Sequence, residues 1–376
     1  MFISMHYLRY LLSAVTILAG SGLLVISRQL PNATQTKQDD HSPVIAEPFP
    51  APPILGIAIN AHHISDLKLY LESVDQIAKI GANSLIVVTP MFQTLVDSNE
   101  IRYLPKKCPT AQQLIAILKH AKKRNLHTTL LPIVLIEKPG EKDWRGVIEP
   151  TDWDAWWKSY DNFIDRFVKI AVTADVDLFS IGSELNTTES QINRWTRIAK
   201  NVRQSFPGKL TYSANWDRYD KIKLWPLVDI MSVSSYFELS RDDEDAPFEI
   251  LRDAWIKERD LLLKTAKQYD RPLMLSEVGY PSLSSAAAFP WNYVAKDGEQ
   301  ADHAAQARCY EAFFAAWTDV VVDPTNLAIG FHCYHWDPYH HGDSRDTGYG
   351  IKGKPALEII RKGFEDIRRQ AADAKQ

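Results

Sequence analysis

The chain has 376 residues, 45% hydrophobic and 24% charged, which is the profile of a globular protein with room for one large barrel after a leader. Its formal net charge is −4 and no long basic run occurs, so nucleic acid is excluded as a main partner, because phosphate binding needs clustered Lys and Arg. The three cysteines (Cys108, Cys309, Cys333) cannot all pair within one chain and lack metal-ligand spacing, so free or buried thiols are expected.

Arg9 precedes an apolar run from Leu11 to Ile26, and residues 1–30 read as a signal peptide or an uncleaved signal anchor. The run is slightly short for a membrane span. Ser27, Arg28 and Gln29 follow it where a small-x-small cleavage site would stand, which favours the anchor. A basic N-terminal flank stays in the cytoplasm, so the rest is expected to face the periplasm or exterior, or to be secreted if the leader is cut. Residues 31–53, rich in Pro, Asp, Gln and Ser, read as a flexible tether.

From residue 54 to 376 the chain alternates. Strand-like runs fall at Ile54–Ile59, Ser84–Thr89, Thr128–Ile136, Leu178–Ile181, Leu210–Ala214, Ile230–Ser234, Leu273–Ser276 and Ala328–Tyr334. Helical patterns separate them, clearest at Asp66–Ile80, Ala111–Arg124, Trp156–Ala174, Glu189–Ser205, Pro247–Gln268 and Ala301–Val321, with a last one at Pro355–Gln370. The crossover around Tyr219–Leu227 is short and weak. Thr188 followed by Gln191 has the spacing of a capping box. The alternation predicts an α/β chain folded as a (β/α)8 TIM barrel, preceded by the signal or anchor segment and its tether. An open doubly wound sheet is the alternative. It usually carries a Gly-rich turn after the first strand, where this chain has Ala-Ile-Asn-Ala-His-His.

In such a barrel, function sits where strands end. The ends deliver Asn60, His62 and His63; Thr89, Met91 and Gln93; Glu137 and Lys138, then Trp144 and Arg145; Ser183 and Glu184. They continue with Asn215, Trp216 and Asp217; Ser235, Tyr236 and Glu238; Glu277 and Tyr280; His335, Trp336 and Asp337. This rim is polar and aromatic, whereas the strands are apolar. Glu184 and Glu277 end the fourth and seventh strands and so face each other. One protonated and one ionised carboxyl across a rim can cleave a glycosidic bond, and a gap of about 5 Å makes the reaction retaining. Tyr236, after the sixth strand, is placed to hydrogen-bond Glu277.

The eleven Trp are expected to divide between core filling and sugar stacking. The expected substrate contacts are Asn60, Trp144, Asn215, Trp216, Trp336 and Asp337. Trp336 either floors the sugar site or plugs the barrel top, and Asn215 either meets sugar or caps its own turn. The run His332, His335, His340, His341 with Asp337 and Asp343 lacks the helical spacing of a zinc motif, so a polar binding loop is read there and no metal site. The sequons at Asn32 and Asn186 match a pattern common by chance.

Several stretches resemble glycoside hydrolase family 113, within the clan of barrels that use a glutamate pair on strands four and seven. They are Trp-Arg-Gly at 144–146, Trp-Trp-Lys-Ser-Tyr at 156–160, Phe-Ser-Ile-Gly-Ser-Glu-Leu at 179–185 and Leu-Thr-Tyr-Ser-Ala-Asn-Trp-Asp at 210–217. Ser-Ser-Tyr at 234–236, Ser-Glu-Val-Gly-Tyr-Pro-Ser at 276–282 and Asp-Thr-Gly-Tyr-Gly-Ile-Lys-Gly-Lys-Pro-Ala at 346–356 follow in order. The resemblance implies Glu184 as acid/base, Glu277 as nucleophile, no metal or organic cofactor, and endo-β-1,4-mannanase-like activity on an oligo- or polysaccharide. Departures from the wider clan are Ser183 where many members carry Asn, Ser234 where many carry His, and no arginine at the end of strand two. The rival readings are a non-catalytic sugar-binding barrel, a glycosidase that trims an envelope or exopolysaccharide of another sugar, and a metal-dependent barrel hydrolase.

Overall fold

The computed structural model describes residues 53–241, 246–292, 294–295 and 298–374. The apolar leader, the tether up to residue 52 and the Asn32 sequon lie outside the described residues. Eight parallel strands follow in order: β1 Ile54–Asn60, β2 Ser84–Gln93, β3 His127–Ile136, β4 Leu178–Ser183, β5 Lys209–Asn215, β6 Ile230–Ser234, β7 Leu273–Gly279 and β8 Ala328–Trp336. Each pairs with the next, and β1 pairs with both β2 and β8, so the sheet closes on itself. A two-residue strand, Ile101–Arg102, adds antiparallel to the end of β2. Parallel strands covered on both faces bury nearly every side chain, which is why they appeared in the sequence as short continuous apolar runs.

Helices α1 Leu67–Lys79, α2 Ala111–Lys123, α3 Trp153–Ala174, α4 Ile192–Arg203, α5 Phe248–Tyr269, α6 His303–Val322 and α7 Pro355–Asp373 surround the barrel. The weak fifth crossover contains only a 3-10 turn, Trp225–Leu227, with Pro at its start. The Thr188/Gln191 capping box is not formed. Thr188 lies in a 3-10 turn with its hydroxyl on the Leu185 carbonyl, and the Gln191 amide oxygen accepts from the Trp157 indole. Helix α4 starts after Gln191 without a side-chain cap, while Thr110 and Gln113 form a capping box at the start of α2. Among the described residues no helix is long and apolar enough to cross a membrane.

Six tryptophans (Trp156, Trp157, Trp195, Trp225, Trp255, Trp317) are fully buried between barrel and helices. Several of them pack edge to face, as in Trp157 against Trp195 at 5.3 Å between centroids. Only Trp144 and Trp291 are exposed, so most of the Trp surplus fills the core. All three cysteines are free and buried. The barrel interior is not wholly apolar. Ser213 on β5 bonds Ser234 on β6 (2.9 Å) and Ser276 on β7 (2.6 Å), and Thr211 bonds Ser232 (2.6 Å). These hydroxyls satisfy one another where water is excluded.

Candidate active site

Glu184 follows β4 in a left-handed backbone conformation, φ 51°, uncommon for a side chain with a Cβ. The surroundings hold it there. Its N–H donates to the Ser213 carbonyl (2.9 Å), and the next N–H, of Leu185, donates to the Tyr212 hydroxyl (3.0 Å). Tyr212 in turn donates to buried Glu189 (3.0 Å), which pairs with Arg218 at 3.1 Å. The glycine in Ile-Gly-Ser-Glu is required by this packing. A Cβ on Gly182 would lie 2.7 Å from the Trp195 ring and 2.9 Å from that of Tyr212. The aromatic wall therefore presses directly on the strand that ends in Glu184.

The Glu184 carboxylate is 5% exposed and accepts from the Arg145 guanidinium at 2.5 Å. Arg145 comes from the loop after β3. Burial opposes its charge, but the Glu184 and Glu277 carboxylates outweigh that and raise it above its ordinary value, so it remains a cation. The sequence offered no arginine at the end of the second strand; this loop residue brings the cation to the rim.

Glu277 lies within β7, paired in register with Ser234, and is 4% exposed. The Tyr236 hydroxyl donates to it at 2.6 Å, the contact expected from a tyrosine following the neighbouring strand. Burial first, and the Glu184 charge second, push the Glu277 carboxyl up to about 7, against the pull of Tyr236 and Arg145. Burial and then the Glu277 carboxylate hold Tyr236 well above the usual phenol range, so it stays a donor. Ser213 links the two sides, accepting the Glu184 N–H with its carbonyl and bonding Ser276, beside Glu277, with its hydroxyl.

The other sequence candidates divide. Asn60 donates to the Tyr334 hydroxyl at 2.7 Å, beside the carboxylates. Trp144 is 37% exposed, next to Arg145, with its indole folded over Gly146. Trp336 is 3% exposed, with the Lys352 ammonium 5.7 Å from its ring centre. Trp216 is half-buried against Phe237. The Asn215 amide closes its own turn, donating to Asp217 and accepting from the Trp216 N–H, both at 3.0 Å. The Asp337 carboxylate also closes a turn, accepting from the Tyr339 N–H (2.8 Å) and pairing with His340 (2.7 Å). Gln93 is fully buried and bonded to Trp156, and Glu137 pairs with Arg102 and Lys107. His332 and His335 both lie within β8, and only His340 and His341 belong to the loop after it. His332 points into the barrel and bonds Ser84 at 2.9 Å.

Sequence reasoning gave no role to four further residues, although it placed Arg145 on the rim. Tyr334 and Tyr349 pack with Tyr236 as a three-ring wall, with centroids 5.6–6.2 Å apart. Lys354, with a fully buried side chain, pairs with Asp346 (3.1 Å) and donates to Ser282 and the Gly348 carbonyl, both at 2.8 Å. It thereby clamps the Tyr349 loop to the loop after β7. Arg145 is the fourth. The Trp-Arg-Gly and Asp-Thr-Gly-Tyr stretches contained three of these four residues, but nothing in them assigned a contact. His62 is pushed down to about 4 by burial and by Arg145, and burial does the same to His335, so both imidazoles are neutral near pH 7. Among the described residues, no group of three or more His, Cys, Asp or Glu is arranged to hold a metal ion.

Two buried carboxylates on facing strand ends, one against a guanidinium and one against a phenol, form a candidate pair for proton transfer and nucleophilic attack. The model of Glycoside Hydrolase Family 113 matches residues 68–354. The family 113 β-mannanase from Alicyclobacillus acidocaldarius, solved in complex with ManMIm, superposes with TM-score 0.74 at 24% identity, covering 84% of this chain and 98% of that one. A complex of a family 113 β-1,4-mannanase superposes at 0.73 and 23% identity, covering 83% and 99%. A family 5 mannosidase from Rhizomucor miehei reaches 0.60 at 10% identity, covering 86% and 95%. No match is found among curated protein sequences. At these identities the superpositions carry the barrel fold, and the family model, spanning most of the chain, carries the membership: the chain belongs to glycoside hydrolase family 113.

Proposed function

We propose that the protein is a retaining glycosidase that cleaves β-1,4-linked mannan-type chains, with Glu184 as acid/base and Glu277 as nucleophile. The observation that carries this reading is the pair of buried carboxylates at the ends of β4 and β7, one held by Arg145 and the other by Tyr236. In the first step the Glu277 carboxylate bonds the anomeric carbon while the Glu184 proton passes to the departing glycosidic oxygen. In the second, Glu184 takes a proton from water, the water oxygen bonds the anomeric carbon, and the bond to Glu277 breaks. Tyr236 fixes the Glu277 rotamer and follows its charge through both steps. The mannan specificity rests on the β-mannanase activity of the family 113 structures that superpose on this chain.

Asn60, Trp144, Trp216 and Trp336 are proposed to contact sugar, while Asn215 and Asp337 act through the turns they close. The leader and tether are proposed to place the catalytic domain outside the cytoplasm, anchored if residues 1–30 are retained and secreted if they are cut. The test is product analysis on β-1,4-mannan, glucan, xylan and bacterial exopolysaccharides, with Glu184→Gln as control. Cleavage of mannan by the wild type, lost by several orders of magnitude in the variant, supports the assignment. Near-normal turnover in the variant refutes the role of Glu184, and cleavage of another polymer alone refutes the mannan specificity.

A further inference from the structure

Of the eleven tryptophans, the most exposed is Trp291, 48% accessible, in the loop after β7 that begins just past Glu277. A half-exposed indole offers a flat apolar face on which a ligand can stack. This one is also held in place. Its N–H donates to Glu238 at 3.3 Å, and its ring packs edge-on to Phe289 at 6.0 Å. The neighbouring Pro290 carbonyl accepts the Tyr349 hydroxyl at 2.5 Å, and the Tyr349 ring packs 5.8 Å from Tyr236, the partner of Glu277. The loops after β6 and β7 are further joined by the Leu239 N–H on the Ala287 carbonyl (2.8 Å). Trp291 is thus a tethered flat ring a few contacts from the nucleophile candidate.

Glu238 also borders a cavity of about 350 Å³ between the loops after β5 and β6 and the side of α5, lined further by Trp216, Lys221 and Phe237. Its lining holds four carboxylates and three cations, so it selects neither a strongly charged cation nor an anion. The half-exposed Trp216 in its lining and the nearby Trp291, with interspersed donors and acceptors of both signs, match a neutral polyhydroxyl ligand, whose sugar faces are apolar and whose edges are polar.

We propose that Trp291, Glu238 and the adjoining cavity beside Trp216 form an outlying sugar subsite that holds units of the polysaccharide beyond the bond being cut. This rests on the glycosidase reading above and deepens it, because an enzyme with such a subsite grips long chains better than short ones. Trp291 stacks on the apolar sugar face, and Glu238 fixes the ring plane and accepts a sugar hydroxyl.

The test compares full-length wild type, Trp291→Ala and Trp291→Phe on mannohexaose and mannotriose. Trp291→Ala is expected to lower kcat/KM on the hexaose about five- to tenfold, mainly through KM, and to leave the triose within about twofold. Trp291→Phe retains most of the hexaose rate because a flat ring remains. Thermal unfolding of all three proteins is expected to coincide, since the ring is half exposed. Equal loss on both substrates, or no loss on the hexaose, overturns the subsite while leaving the catalytic pair standing. A wild type inert on both sugars overturns the mannan reading itself.

Discussion

Replacing Glu277 by Gln removes a charge that the fold carries at a cost. The side chain is 4% exposed, and its carboxyl is raised from the ordinary 4.5 to about 7 by burial and by Glu184. A carboxyl raised in this way binds its proton more tightly in the native than in the unfolded chain. Its contribution to stability is full below about pH 4.5, declines as pH rises, and is lost above about pH 7. That gap corresponds to about 3 kcal/mol. Gln keeps the shape and an acceptor for Tyr236 but no charge. Glu277→Gln is therefore expected to be more stable than wild type by up to about 3 kcal/mol at about pH 8, and equal to it within about 0.5 kcal/mol near pH 4.5. Urea unfolding followed by tryptophan fluorescence at both pH values measures this. The same group must be ionised to attack carbon, so wild-type kcat/KM is expected to fall as pH drops through about 7, while the variant turns over at no pH. A variant no more stable than wild type at about pH 8, or an acid limb near pH 4.5, would refute the reasoning.

Lys354→Met should destabilise the protein by about 3 kcal/mol, because it leaves Asp346 and the Gly348 carbonyl without their buried cation. Thermal unfolding checks it, and a change below about 0.5 kcal/mol would show that the clamp is not structural. Trp336→Ala is expected to cost about 3 kcal/mol, since the indole is 3% exposed, and also to lower kcat/KM per folded molecule by about tenfold. A stability loss with unchanged activity per folded molecule would make Trp336 a plug and not a sugar floor.

The barrel was readable because parallel strands buried on both faces are mostly apolar, with small hydroxyl residues where polar groups enter, and all eight runs and seven helical patterns overlap the observed strands and helices. Strand order alone then set Glu184, Tyr236 and Glu277 on one rim. Arg145 was harder to assign. It reaches Glu184 from a loop 39 residues earlier, and no periodicity fixes where a loop side chain points. Tyr334 and Tyr349 look like ordinary core aromatics until Asn60 and Tyr236 are found against them. The capping box at Thr188 failed because the chain tightens into a 3-10 turn after Glu184 and delays the helix to Ile192. Asn215 and Asp337 show the limit of reading rim polarity as binding, since their polar atoms serve the local turn first.

The most direct test of the central claim is the stereochemistry of the first product. Proton NMR of β-1,4-mannan cleavage, recorded before mutarotation, reports which anomer forms first. Attack by Glu277 on the face opposite the leaving group, followed by water on the face the leaving group vacated, predicts the β-anomer initially, with the α-anomer appearing only as the solution equilibrates. An initial α-anomer would mean that water displaces the leaving group directly, and would contradict Glu277 as the nucleophile.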